Sequence, residues 1–174
     1  IVEKSAFPNS VVEAPTAIPA FIGITEKAVN GADTLSGKPW KITSMTEFQQ
    51  YFGGAPAPEF RLSVVDYPEK DASKTFYGIP SPDKSKLLRV EAPEVTFSLY
   101  YQMVMFFANG GGTCYIVSAG TYDQKSLIDK EKVVAALTAL KKEQEITMVL
   151  VPEAVSVDEC KDIQTQVLAH CGEM

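Results

Sequence analysis

The chain has 174 residues, 45% of them hydrophobic and 22% charged, with a formal net charge of −6. These proportions are typical of one globular domain, and an acidic chain without a basic cluster argues against nucleic acid or an anionic membrane surface as the main partner. No stretch approaches the roughly 20 apolar residues of a membrane span, so direct membrane insertion is not expected. The three cysteines, an odd number, predict free thiols without a disulfide framework.

The first 17 residues have the pattern of an extended arm. Two apolar pairs, Ile1-Val2 and Val11-Val12, are separated by acidic residues and a proline, which is too broken for a helix. The segment is also too short to form its own sheet, so we expect it to pair with a strand from elsewhere. Ile1, Val2, Val11 and Val12 are therefore candidate inter-subunit contacts, and residues 18–174 form the predicted core domain. The chain has no signal-peptide pattern and stops inside a predicted helix, which indicates a fragment.

The next segment combines a buried strand with a short helix. The apolar run from Ile18 to Thr25 predicts the strand, and a turn follows at Asn30-Gly31. A capping box from Ser44 to Glu47 predicts a helix that ends before Gly53-Gly54.

Residues 53–93 are rich in proline. They hold six of the eleven prolines of the chain, which excludes a long helix. The alternation of Phe60, Leu62 and Val64 with polar residues predicts a half-exposed strand, and residues 86–91 are a second candidate strand. We interpret the segment as a β-rich insertion on the periphery of the domain, with its charged side in solvent.

The second half of the chain alternates helices and strands. The first predicted helix is apolar nearly all round, which is typical of a helix buried on more than one side. This alternation predicts an α/β fold with a mostly parallel sheet flanked by helices. The predicted elements are helices at 94–108 and 129–144, strands at 113–118 and 146–151, and a last helix opened by a capping box from Ser156 to Glu159.

Few residues have the pattern of a catalytic or metal site. His170, the single histidine, lies near the end of the last predicted helix, where a surface or capping role is expected. One histidine without a Cys-x-x-Cys pair does not make a metal-ligand set. Asp123 and Asp129 follow a predicted strand, and they have the spacing of turn and N-cap residues. We therefore expect no enzyme activity, catalytic residue, cofactor or metal.

The glycine run at 110–112 differs from a phosphate-binding loop. A P-loop runs from strand to glycines to helix, whereas here a helix precedes the glycines and a strand follows them. We interpret Asn109-Gly110 as a left-handed C-cap of the helix, followed by glycines that permit close packing.

The stretch from Tyr100 to Ser118 resembles the most recognisable segment of contractile tail sheath proteins, the family of phage tail sheaths and of sheaths in extracellular contractile injection systems. In that family a buried helix ends in Phe-Phe-x-Asn-Gly-Gly and is followed by a Cys/Ala-Tyr strand. Other pieces, at 20–28, 42–54 and 149–152, are similar and occur in the same order. The matching motif residues, with a structural role, are Phe106, Phe107, Asn109, Gly110, Gly111, Cys114 and Tyr115.

The resemblance implies a structural sheath subunit of a phage tail or a released phage-tail-like particle, assembled in the bacterial cytoplasm. Such subunits form a homo-oligomer of stacked hexameric rings around an inner tube protein, bounded by baseplate and terminator or cap proteins. Contraction drives the tube through a target membrane, and terminal arms augment the sheets of neighbouring subunits. The family's opening Pro-Gly-Val-Tyr motif is absent, and its C-terminal half does not occur in this chain. The resemblance therefore covers the N-terminal part of the subunit.

Two other classes of protein fit the pattern. The first is a flavodoxin-like α/β enzyme or ligand-binding domain, which would need convergent polar groups after Ser118 and Val151. Those positions are followed by Ala-Gly-Thr and Pro-Glu-Ala. The second is an adaptor or another interaction module. Assembly into rings or tubes distinguishes a sheath subunit from both.

Overall fold

The computed structural model describes residues 17–57, 60–66, 77–91, 97–122 and 128–173. Nearly all of the predicted arm, including Ile1, Val2, Val11 and Val12, therefore lies outside the described residues. Asp123 lies outside them as well. In the described part of the chain no helix is both long and apolar enough to cross a membrane.

The elements follow one another as four short strands, a helix, three strands and then alternating helices and strands. In chain order they are β1 (Pro19–Thr25), β2 (Val29–Asn30), β3 (Asp33–Thr34), β4 (Trp40–Ile42), α1 (Met45–Phe52), β5 (Arg61–Asp66), β6 (Tyr77–Pro80), β7 (Lys86–Glu91), α2 (Leu99–Ala108), β8 (Cys114–Thr121), α3 (Lys130–Leu140), β9 (Met148–Leu150), a 3₁₀ helix (Pro152–Ser156) and α4 (Cys160–Glu173).

A four-stranded mixed sheet forms the centre of the fold, in the order β4-β8-β1-β9. β1 runs parallel to both β8 and β9, while β4 pairs antiparallel with β8. The prediction of an α/β fold with a mostly parallel sheet flanked by helices is thus confirmed. The three-residue strand β4 was not predicted, because a strand of this length has no periodicity that a sequence pattern can reveal.

Helices cover both faces of the central sheet. All seven residues of β1 are buried, which explains why its sequence is an unbroken apolar run. On one face Ile22 and Val117 pack with α3 and α4, and on the other Phe21 and Ile116 pack with α1 and α2. The link from β1 to β8 therefore runs through α2 on one face, and the link from β8 to β9 runs through α3 on the opposite face.

Side-chain caps begin two of the helices as predicted. The Ser44 hydroxyl accepts a hydrogen bond from the N–H of Glu47 at 3.2 Å, and the Asp129 carboxylate accepts one from Lys132 at 2.8 Å. The capping box predicted at Ser156 is wrong, since α4 begins at Cys160. Pro152 instead opens the 3₁₀ helix that ends at Ser156, because a proline is accommodated at the first position of a helix.

The prediction that α2 is buried on more than one side is wrong. Leu99 and Met103 are its buried residues, whereas Tyr101, Val104 and Met105 are exposed. A single stripe of α2 packs on the sheet, and no described element covers its other side. The apolar residues of this helix therefore lie partly in the core and partly on the surface.

The segment between α1 and α2 contains a three-stranded antiparallel sheet in the order β5-β7-β6. Cross-strand pairing puts Val64, Leu88 and Ile79 on one face of this sheet. Lys86 and Asp66 are exposed, as expected of the charged side, and Leu62, Val64 and Ile79 are 66–68% exposed as well, which was not expected. Leu87, on the opposite face, is buried. Register alone decides this orientation, since neighbouring strand residues point to opposite faces.

Candidate functional site

The residues that resemble the tail sheath motif form the turn that ends α2 and leads into β8. The N–H of Gly111 binds the carbonyl of Phe106 at 2.9 Å, and the N–H of Gly110 binds that of Phe107 at 3.1 Å. This pair of bonds is a Schellman motif, in which the residue after the cap adopts a left-handed conformation. Gly110 has φ +83°, whereas Asn109 has φ −94°. The predicted C-cap is confirmed, but the left-handed residue is Gly110 alone.

The aromatic and small residues of the motif pack around this turn. The rings of Phe106 and Phe107 lie 5.1 Å apart, and Phe106 also meets Phe21 of β1 edge to face. A Cβ on Gly111 would lie 2.6 Å from the Phe106 carbonyl oxygen, so this position needs glycine for lack of space. Cys114 is fully buried, and burial raises its thiol pKa to about 12. The motif thus has a packing role in the fold.

Tyr115 starts a polar cluster at the amino-terminal end of β8. Its hydroxyl donates to the Glu145 carboxylate, which also pairs with the Lys41 ammonium at 2.6 Å. Burial raises the pKa of Tyr115, and the hydrogen bond to Glu145 acts in the same direction. Lys41 lowers the pKa of Glu145. The cluster ties β4 to the loop before β9 and leaves its tyrosine protonated at neutral pH.

The carboxyl ends of β1 and β9 form the topological switch point of the sheet, because β1 is linked to β8 on one side of it while β9 lies on its other side. Thr25 and Ser118 lie next to this point, at the carboxyl ends of β1 and β8. The hydroxyls of Thr25 and Ser118 lie 2.7 Å apart, and both are buried. The Thr25 hydroxyl also donates to the Lys27 carbonyl, and Tyr122 stacks on Phe97 with ring centroids 4.9 Å apart. The polar groups here thus bind other parts of the chain.

Glu153 is a buried carboxylate next to the same edge, and sequence reasoning missed its role. One oxygen accepts the N–H of Ile24 at 2.8 Å, and the other accepts those of Ser98 and Leu99 at 3.1 and 3.3 Å. Burial raises the pKa of Glu153, while these three backbone bonds oppose the shift. The carboxylate therefore joins the end of β1, the start of α2 and the 3₁₀ helix. The sequence offered one signal for this role, which is a single acidic residue directly after an apolar strand and Pro152.

The outer edge of β9 is an open edge of the central sheet in the described residues. β9 pairs with β1 on one side, and no described strand pairs with its other side. Met148 and Leu150 on this strand are both exposed. A groove of about 480 Å³ reaches Leu150, and its residues are Phe21, Gln102, Met105, Phe106, Asn109, Gly110, Gly111 and Leu150. An open strand edge next to an apolar groove is the geometry that accepts an added strand.

The free cysteines and the remaining titratable groups form no metal centre in the described ranges. All three cysteines are free, as predicted. No group of three or more His, Cys, Asp or Glu residues within those ranges could hold an ion. The surface or capping role expected for His170 is wrong, because its side chain is buried between α4, the end of α3 and the start of β9.

A scan against models of protein families and a search of curated proteins find no match to this chain. Its function is therefore inferred from its own residues and geometry.

Proposed function

We propose that the chain is a structural subunit that polymerises by strand addition, as the N-terminal part of a contractile tail sheath protein. The observation that carries the proposal is the open outer edge of β9 beside the apolar groove under α2. Backbone N–H and C=O groups along an open edge bind an extended segment, and apolar pockets next to the edge select its side chains. Stacked hexameric rings around an inner tube, held by exchanged arms, are the assembly that the sheath resemblance implies.

The position of residues 1–16 supports this proposal. They lead directly into β1, and Pro19 at the start of β1 lies opposite Met148 at the start of β9. An extended chain of this length spans about 50 Å at roughly 3.3 Å per residue, which is enough to reach a neighbouring subunit. We propose that the apolar pairs Ile1-Val2 and Val11-Val12 occupy the β9 edge or an equivalent edge of a neighbour.

Residues 53–93 enter the proposal as an insertion between α1 and α2. The chain leaves the central domain after α1 and returns to it at α2. The apolar face of its sheet, formed by Leu62, Val64, Ile79 and Leu88, ends at the ion pair between Asp66 and Lys86. An apolar sheet face in solvent is typical of a contact surface. The insertion is then both an addition to the outer sheath wall and a contact between subunits.

A ligand-binding α/β domain is the second candidate function. The observation that favours it is the switch point at the carboxyl ends of β1 and β9, since open α/β sheets bind ligands at such points. Against it, Thr25, Ser118 and Glu153 at this edge bind other parts of the chain. The two candidates differ in assembly, which a sheath subunit requires and a ligand-binding domain does not.

The test measures assembly of the chain as a function of its concentration, by sedimentation and by negative-stain electron microscopy. We expect rings or tubes, and we expect deletion of residues 1–13 to abolish them while the monomer keeps its melting temperature. Met148→Lys should also weaken assembly, since a charge on an edge strand opposes strand addition. Leu168→Lys is the matched control, because Leu168 is an exposed apolar residue that lies on α4 and not on β9.

Three results would count against the proposal. A chain that stays monomeric at every concentration would remove the basis for a polymerising subunit. Assembly that persists unchanged after deletion of residues 1–13 would show that the arm is not the connecting segment. Loss of assembly in Leu168→Lys as strongly as in Met148→Lys would show that the β9 edge has no special role.

A further inference from the structure

His170 is a buried histidine whose ring nitrogen Nδ1 has no hydrogen-bond partner in the structure. Its side chain is 6% exposed, and it borders a cavity of about 90 Å³ between α4 and the start of β9. The other residues around this cavity are Leu140, Ile146, Thr147, Met148, Val149 and Cys171. A cavity of this size, with largely apolar walls, offers little to a charged group.

The charged side chains that act on His170 are those of Lys141, just after α3, and Glu173 at the end of α4. These two pair with each other beside the imidazole. Cys171 is the other titratable group at the cavity. Thr147, from the segment before β9, contributes a hydroxyl that is already bonded to the backbone N–H of Ile18 at 2.9 Å. Within the described residues Nδ1 thus has no hydrogen-bond acceptor in place, and a proton on it would need one.

We propose that His170 is an acid-sensitive latch, and that its protonation separates the C-terminal half of α4 from β9 and the end of α3. A neutral imidazole fills its site as an apolar ring. A protonated imidazole requires an acceptor and hydration for two N–H groups, and the largely apolar walls of the cavity supply few polar partners for either. The separation uncovers Ile146 and Val149, which are half-buried against the core that α4 helps to form.

The direction of the pH effect follows from the environment of the ring. Burial lowers the pKa of His170 below its ordinary value of 6.5, Lys141 lowers it further and Glu173 opposes both. The unfolded chain then binds the proton more readily than the folded chain. Stability contributed at this position is present in full above pH 6.5 and is lost as the pH falls through the folded pKa. Acid should thus open the α4 region before it unfolds the rest of the sheet.

The experiment uses the untagged chain, in which His170 is the single histidine, so that its NMR signals need no separation from others. Imidazole signals followed from pH 8 to pH 4.5 give the pKa directly. Hydrogen exchange of the α4 amides, corrected for the intrinsic pH dependence of exchange, gives the opening. We expect exchange in α4 to accelerate at least tenfold between pH 7 and pH 5, with a midpoint below 6.5 that matches the imidazole titration.

Three variants separate a latch from a merely structural residue. His170→Met keeps an adaptable apolar side chain without a titrating group, so its α4 exchange should not change with pH over this range. His170→Gln serves as a second neutral variant if the methionine variant folds poorly. Lys141→Met removes a charge that disfavours the imidazolium, so it should raise the His170 pKa and reduce the acceleration of α4 exchange in acid.

Specific results would overturn the proposal. A His170 pKa at or above 6.5 would show that the cavity accommodates the charge, for example with water. An α4 opening with the same pH dependence in His170→Met would assign the effect to other groups. These measurements are made on the monomer and do not depend on assembly. A negative result for the latch therefore does not affect the assembly proposal, and a negative result for assembly does not affect the latch.

Discussion

Single residues at the ends of the central strands connect elements that are distant in the chain. The Glu153 carboxylate accepts three backbone N–H groups from β1 and the start of α2, where the register of β1 against β8 shifts between Gly23 and Ile24. A buried carboxylate is costly unless such donors surround it. Glu153 therefore has a structural role. It accepts hydrogen bonds from the N–H of Ile24, at the register shift of β1, and from the N–H groups at the start of α2, which have no helical partner.

The turn after α2 gives a prediction at the scale of one residue. Gly110→Val should lower the free energy of unfolding by about 1–3 kcal/mol, because Gly110 has φ +83° and a β-branched side chain is strained there. Gly112→Val is the matched control two residues away, since a Cβ at Gly112 meets nothing within 4 Å. Urea denaturation of both variants measures the difference. Equal stability losses would show that the left-handed conformation is not the cause.

At the scale of elements, α2 and the small sheet share one property: each carries a group of apolar residues that face outward. In α2 these are Tyr101, Val104 and Met105, and in the sheet they are Leu62, Val64, Ile79 and Leu88. Folding of one chain does not explain such faces, because exposed apolar side chains add little to its stability. Both are the surfaces on which a partner would gain most from binding.

Two neighbouring leucines of β7 provide a test of which face of the small sheet is the inner one. Leu87→Ala should destabilise this sheet by about 2–4 kcal/mol, because Leu87 is buried and contacts Gly78 across the strands. Leu88→Ala should change stability by less than about 1 kcal/mol, since Leu88 already faces solvent. Hydrogen exchange of the β5 and β7 amides reports both changes. The reverse order would mean that the register of the sheet is inverted.

At the scale of the whole molecule, the central sheet has helices on both faces and a switch point at which the described polar groups bind other parts of the chain. The reversal of strand order creates that point between β1 and β9, where the Glu153 carboxylate accepts the N–H of Ile24. The carboxyl ends of β1 and β8 lie next to it. There Tyr122 closes the edge by donating its N–H to Thr25 and its hydroxyl to the Gly54 carbonyl. A switch point often creates a ligand site. Here the described side chains at the carboxyl edge of the sheet pack against one another instead.

This arrangement predicts the response of the chain to nucleotides. ATP or NAD at millimolar concentration should leave the melting temperature unchanged, because the described polar groups at the β1 and β8 ends already bind the chain itself. A ligand present at about 100 times its Kd would stabilise the chain by about 2.7 kcal/mol and raise the melting temperature by several degrees. A reproducible rise of that size would favour the ligand-binding function, and its loss in Ser118→Ala would locate the site.

The amino-acid sequence by itself determined the elements whose signals are local. The unbroken apolar run of β1 and the Ser44 and Asp129 caps of α1 and α3 correspond to the structure within a few residues. The same holds for the Asn109-Gly110 helix end. Each of these depends on side-chain size, hydrogen-bonding groups or backbone freedom within one turn or strand. The α/β class followed from their order, because alternating helices and strands pack as a mostly parallel sheet.

Only the tertiary structure decided which apolar residues lie inside and which polar residues are buried. Val64 and Leu88 have core-like chemistry yet face solvent, whereas Glu153 and His170 have surface-like chemistry and are buried. Local pattern does not distinguish these cases, since burial depends on neighbours that arrive from distant parts of the chain. Thr147 lies 129 residues from the Ile18 backbone that it binds. The open edge of β9 and the latch cavity both result from such long-range packing, and they are the two sites on which function is proposed.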